Sequence, residues 1–367
     1  MVDPRIEKLA KLCVQYSASV KPKDKVLIEG SDLAYPLINE IYKECLLGDA
    51  NPMIHPQLDV EYTFYKHAKK HQLRQEFMRS VFKFLYDKID VRITVACIPN
   101  PRELTGVDAA KIAMTQASWK DVWELFMKRY DADELRMIIL PYPTNSGAQE
   151  ASMALQEYED FVYASCLVDK EDPVEEWKKI RANQERISKY LNSTANIRIT
   201  GEDTELTFST KGRKWWNNAG TGNMPGGEVY TGPVEDSVNG TVRFSYPGIY
   251  SGKEVEDITL TFKDGKVKKA KAAKGNDLLQ EILKIEGADR IGEAAVGTNY
   301  GITRFTKNML FDEKMGGTIH MALGASYPWT GGLNKSAVHW DLLKDMKKDG
   351  EIRADGKLIY KKGKFLI

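Results

Sequence analysis

The chain has 367 residues, 42% hydrophobic and 29% charged, which describes a soluble globular protein long enough for two domains with separate cores. Lys and Arg number 53 against 52 Asp and Glu, so no net field would hold the chain on nucleic acid or an anionic membrane, and neither is expected as a partner. Four widely spaced cysteines form no C-x-x-C pair, the start "MVDPRIEKLAKLC" is charged where a signal peptide needs an apolar run, and no segment has the ~18 apolar residues of a membrane span; a reduced, cytoplasmic protein is expected.

From the start of the chain, helical patterns alternate with short apolar runs. Ile6, Leu9, Cys13 and Tyr16 keep helical spacing. So do Trp119, Val122, Trp123, Phe126 and Tyr130, with Ser118 as the expected N-cap. Between such helices, "KVLIEG" (Lys25 to Gly30), "ITVACI" (Ile93 to Ile98) and "MIILP" (Met137 to Pro141) are apolar on successive positions, as strands covered on both faces would be. The alternation predicts an α/β domain over residues 1–195, an open sheet flanked by helices. Asp172-Pro173 opens a long helix, with Val174, Trp177, Ile180, Ile187 and Leu191 on one stripe, that leads out of this domain.

Glycine marks the change of architecture, because only 4 of the 28 glycines precede residue 200. Residues 196–367 are read as an α+β domain rich in antiparallel strands. Asn239-Gly240, Asp264-Gly265 and Asp355-Gly356 are hairpin signals, and Asn276 is the expected cap of the helix "DLLQEILKI".

Of five histidines, only His320 and His339 lie beyond His71, and both fall in glycine-rich sequence. In "AVHWDLL" the apolar Val338, Trp340 and Leu342 alternate with His339 and Asp341, so on a strand the imidazole and the carboxylate share a face. "TIHMALG" sets Ile319, Met321 and Leu323 against His320, Ala322 and Gly324, leaving space around His320. A lone histidine on a half-buried strand is most often a structural hydrogen-bonding residue; two of them on small-residue faces, one with a carboxylate at i+2, suit a metal ion. Glu228 in "MPGGEVYTGP" and Glu293 in "RIGEAAVG" are acids in small, apolar runs, where charge is costly unless paired. Taken singly, Glu228 reads as a surface turn residue and Glu293 as a partner for a nearby base. Taken together, three carboxylates and two imidazoles without a thiolate fit a hydrolytic zinc, cobalt or manganese centre better than a closed structural zinc site.

Five blocks in order, "NMPGGEVYTGPVEDSVNG", "RIGEAAVGTNYGI", "LFDEKMGGTIHMALGASYP", "KSAVHWDLL" and "ADGKLIYKKGKFLI", resemble the aminopeptidase T and aminopeptidase S family of metallopeptidases. The resemblance implies an N-terminal α/β domain and a C-terminal catalytic domain. It further implies a homodimer, and two divalent ions per chain, zinc or cobalt first and manganese or magnesium next, that release N-terminal residues from short peptides. Position by position, it implies Glu228, Glu293, His320, His339 and Asp341 as ligands, with Glu293 bridging. Tyr327 matches a tyrosine of the family's active site, suited to weak coordination or to donation toward an oxyanion. Glu313 is a candidate general acid/base or acceptor for an imidazole. Trp329 stands where a polar or acidic residue is expected in "SYPxTGG", a departure that bears on substrate preference rather than on the metal site. His55, His67 and His71 are read as unrelated to catalysis. The same ligand types also serve two-metal phosphoesterases and other amidohydrolases, and a non-catalytic, metal-stabilised peptide-binding scaffold is the reading from another class.

Overall fold

The computed structural model describes residues 3–97 and 99–367, which fall into two compact units. The first runs up to Val174 and takes back Gly220–Met224; the second holds Glu175–Ala219 and Pro225–Ile367. The division falls in the first turn of the long helix Pro173–Leu191 rather than after it, because Ile187 and Leu191 are buried in the second unit's core. Trp177 is also buried, while Val174 and Ile180 are half-buried.

Among the described residues the first unit has a four-stranded sheet, all parallel, in the order Asn51–Gln57, Lys25–Ser31, Val91–Ala96, Arg136–Pro141. The last three of these strands are the runs read from sequence, the third of them at the opposite edge, except that Ile98 lies outside the described residues. The first strand in that order carries Pro52 and Pro56, which removes donors from the ladder and suits it to the edge. Leu27 packs with Phe82, Tyr86, Val122 and Phe126 of the covering helices. Trp123, placed with Val122 on the buried stripe by its spacing, instead stacks on Phe126 with its outer surface exposed. Ser118 does not cap the helix Lys120–Asp131: it ends the preceding helix, and its hydroxyl donates back to the Thr115 carbonyl at 2.7 Å. Cys13, Cys45 and Cys166 are buried thiols; Cys97 is only half-buried.

In the second unit an antiparallel five-stranded sheet runs His339–Asp345, Thr318–Gly324, Ile291–Gly297, Glu228–Thr231, Trp216–Asn218 among the described residues. An eight-stranded antiparallel sheet lies opposite, and Val229, Val296, Met321 and Trp340 of the first share one core with Leu206, Val242, Leu260 and Ile352 of the second. The hairpins at Asp264-Gly265 and Asp355-Gly356 form, each with both residues at positive φ. Asn239-Gly240 does not turn. It lies inside the strand Asn239–Arg243, where Gly240 has φ +115° and a Cβ would meet the Glu205 carbonyl oxygen at 2.1 Å. Gly275, not Asn276, precedes the helix Asn276–Leu283; the Asn276 side chain accepts instead from the Ala272 amide.

Candidate metal centre

The site follows from the two-residue period of its strands. Ile319, Met321, Leu323, Trp340 and Leu342 point into the core, as do Ala294, Val296 and Val229. The residues between them therefore share the opposite face: His320, Ala322 and Gly324 on one strand, His339 and Asp341 beside them, Glu293 and Ala295 on the other side, and Glu228 beyond. Register places them laterally, with Asp341, Ala322 and Glu293 in one row, and Ala295 opposite His320 in the next. Small side chains at 322, 324 and 295 leave that face clear. Gly324 also has φ +107°, and a Cβ there would stand 2.0 Å from the Val338 carbonyl oxygen.

Five side chains converge on this face. His320 Nε2 lies 3.4 Å from Glu228 Oε2 and 3.7 Å from Glu293 Oε1. His339 Nε2 lies 3.2 Å from Glu293 Oε2 and 3.6 Å from Asp341 Oδ1. Ligand atoms of Glu228, Glu293 and His320 lie within 4.8 Å of one another, as do those of Glu293, His339 and Asp341. Glu293 belongs to both groups. His55, His67 and His71 lie in the first unit and in neither of these groups.

The donor set fits cations. His320 is 1% exposed, yet among the described residues both its ring nitrogens and Oδ1 of Asp341 lack a hydrogen-bond partner, a cost that burial does not normally tolerate. His339 Nδ1 donates to the Ala325 carbonyl at 3.0 Å, which fixes the ring and leaves Nε2 facing the carboxylates. Asn218 donates to Glu228 Oε1 at 2.8 Å.

Electrostatics agree. Burial pushes Glu228 up to about 7, with Lys314 pulling against it, and pushes Asp341 up to about 6, with His339 pulling against it. Burial also presses Glu293 upward, but the facing imidazoles of His320 and His339 outweigh it and leave the carboxyl at about 2. Burial opposes charge on the two imidazoles, yet Glu293 carries each up to about 10. Protons on the imidazoles thus supply the counter-charge that a cation could supply instead.

Two further predicted residues sit at the margin. The Tyr327 hydroxyl is 3.4 Å from His339 Nε2; burial, reinforced by the surrounding carboxylates, drives its phenol far above the ordinary value, so it stays neutral and able to donate. Glu313 finds an ammonium rather than an imidazole as partner: its Oε1 is held by Lys314 Nζ, which also lies 3.8 Å from Glu228 Oε1. Lys314 is fully buried, and the reading of the sequence passed over it. "FDEKMGG" contains no local signal that distinguishes it from a solvated lysine.

A profile of the thermophilic metalloprotease family (M29) matches residues 2–365. The chain belongs to that family. Among curated relatives of this metalloprotease, Aminopeptidase 2 of Geobacillus stearothermophilus is 26% identical over 97% of this chain and 95% of its own. Aminopeptidase AmpS of Bacillus subtilis (strain 168) is 29% identical over 70% of this chain and 72% of its own. The solved structure of wild-type AmpT from Thermus thermophilus matches with a TM-score of 0.87 over 99% of both chains at 20% identity, a likeness of fold. It bears out the α/β domain with a parallel sheet and the second domain rich in antiparallel strands.

Proposed function

We propose that this metalloprotease is an aminopeptidase that cleaves the first peptide bond of short peptides at a pair of divalent ions. The observation that supports it is the shared carboxylate: Glu293 turns Oε1 to His320 and Oε2 to His339 and belongs to both groups of candidate ligands, as a residue shared by two ions would. Glu228, Glu293 and His320 would hold one ion, and Glu293, His339 and Asp341 the second. Carboxylate and imidazole donors suit zinc or cobalt, with manganese or magnesium less favoured.

Ions bound there polarise a scissile carbonyl and lower the pKa of water so that it attacks near neutral pH. The remaining chemistry belongs to the chain. Tyr327, kept neutral beside His339, donates to the carbonyl oxygen as it gains charge. Glu313, held by Lys314, carries the proton from the attacking water to the leaving amine. A free α-amino group would contact a metal or an acidic side chain of the site, which excludes chain interiors. Action as a homodimer in the cytoplasm is part of the same reading; the four free thiols accord with that compartment.

Aminoacyl p-nitroanilides and dipeptides, assayed before and after chelation, test the proposal. Metal and turnover should disappear together while the circular dichroism spectrum persists, and return on adding zinc or cobalt. Full turnover after complete removal of metal would sink it.

A further inference from the structure

Beside His339 the second unit carries a group of aromatic rings that metal binding does not use. Tyr327 stacks on Trp329 with centroids 4.7 Å apart and planes 18° from parallel. Tyr230 meets Tyr327 edge-on at 5.9 Å, and its hydroxyl accepts from Trp329 Nε1 at 3.0 Å. Trp216 Nε1 donates to the Trp329 carbonyl at 2.9 Å, holding the short helical turn Pro328–Thr330 in place. The polar tips of Trp329 and Trp216 are thus spent inside the group, and the Lys214 ammonium lies over the Trp216 ring at 3.6 Å, so the apolar surface left to a ligand is chiefly that of Trp329.

Its position decides its use. The site is closed on one side, with Glu228, Glu293 and His320 buried, and open on the other, where the His339 side chain is 26% exposed. Tyr327 packs on that exposed imidazole, with ring centroids 5.0 Å apart. Trp216, Tyr230, Tyr327 and Trp329 are all half-buried, so their ring surfaces remain in part accessible where the site opens. Glu235, whose partner Arg213 also reaches the Gly331 carbonyl two residues from Trp329, is neutralised within the unit and accepts from the Leu333 amide.

We infer that Trp329, held by Tyr327, Tyr230 and Trp216, is a specificity-determining residue that favours peptides whose N-terminal side chain is large and apolar or aromatic. The inference rests on the aminopeptidase reading and adds its substrate class. A flat aromatic wall rewards contact area and stacking, and it desolvates an acidic or short polar side chain without supplying a partner.

The test compares kcat/KM for phenylalanyl, leucyl and alanyl p-nitroanilides in the metal-loaded wild type and in Trp329→Ala. The phenylalanyl-to-alanyl and leucyl-to-alanyl ratios should fall by at least about tenfold, the scale of pocket discrimination by apolar contact. Bound metal per chain should be unchanged. Should the alanine variant fail to fold, Trp329→Leu, which keeps apolar packing against Tyr327, carries the test, with an expected drop of about threefold or more in the phenylalanyl ratio. Turnover of all three substrates with ratios unmoved in the variant overturns this inference alone. A metal-loaded wild type that turns over none of them overturns the aminopeptidase reading, and this inference with it.

Discussion

Glu293 Oε2 lies 3.2 Å from His339 Nε2, although a whole strand runs between the two residues in the sheet. They meet because that strand presents Ala322, paired with Glu293 on one side and Asp341 on the other, and Gly324, paired with His339. Ala322→Leu would fill the gap. We expect it to fold with a penalty of about 1–3 kcal/mol from overpacking and to lose bound metal and turnover. Calorimetric melting and metal analysis check this, and a full metal complement in the variant would show that the gap is not where ions sit.

Glu293→Gln keeps the shape and removes the shared charge. Fewer than two ions per chain should remain, and kcat should fall by at least about 100-fold, the upper range for groups that merely support a ligand. His339→Ala should differ in kind, since Glu228, Glu293 and His320 stay together as a group. Mass spectrometry under native conditions counts the ions; two ions and normal turnover in Glu293→Gln would remove it from the bridge.

The pH dependence of metal binding has a definite sign. In the metal-free chain His320 and His339 are carried up to about 10, above the ordinary 6.5, so both hold protons at pH 7. A metal must displace them. Affinity should therefore weaken as pH falls below that range, roughly tenfold per pH unit for each imidazole proton displaced. Zinc titration calorimetry at pH 6, 7 and 8, in buffers of different ionisation enthalpy, reads both affinity and proton release. An affinity independent of pH would contradict the geometry of the imidazoles.

Lys314 is fully buried and held between Glu313 and Glu228. Replacing it with methionine leaves the buried Glu228 and the half-buried Glu313 without their shared cation, so Lys314→Met should cost about 3–5 kcal/mol. Glu313→Gln in the same chain should recover part of the loss, with a coupling of at least about 1 kcal/mol between the two sites. Equal and additive losses in urea unfolding would mean that the pair contributes nothing.

Much of this molecule was readable because its signals are local. Alternation in "TIHMALG" and "AVHWDLL" fixes which side chains share a face whatever the neighbours are, and both stretches are strands with the histidines opposite the core. The readings that failed are those in which a local signal was overruled from afar. Asn239-Gly240 has the composition of a tight turn, yet Leu206 and Phe262 flank Gly240 on neighbouring strands and leave it inside a ladder. Ser118 has the chemistry of a cap, yet the preceding helix absorbed it.

By itself, then, the order of residues determined the periodicities, the contrast between a glycine-poor and a glycine-rich half, and the kinds of donor atom available in the second. Only the tertiary structure decided that Glu293 serves both histidines, that Lys314 lies buried beside Glu228, and that Trp329 stacks on Tyr327 at the exposed side. The first two of those relations join residues distant along the chain, and the third depends on where the turn that carries both rings is set against the sheet. Which of them meet, and whether a charge ends up dry, depends on sheet order and register, which are set by packing of the whole core rather than by any short stretch.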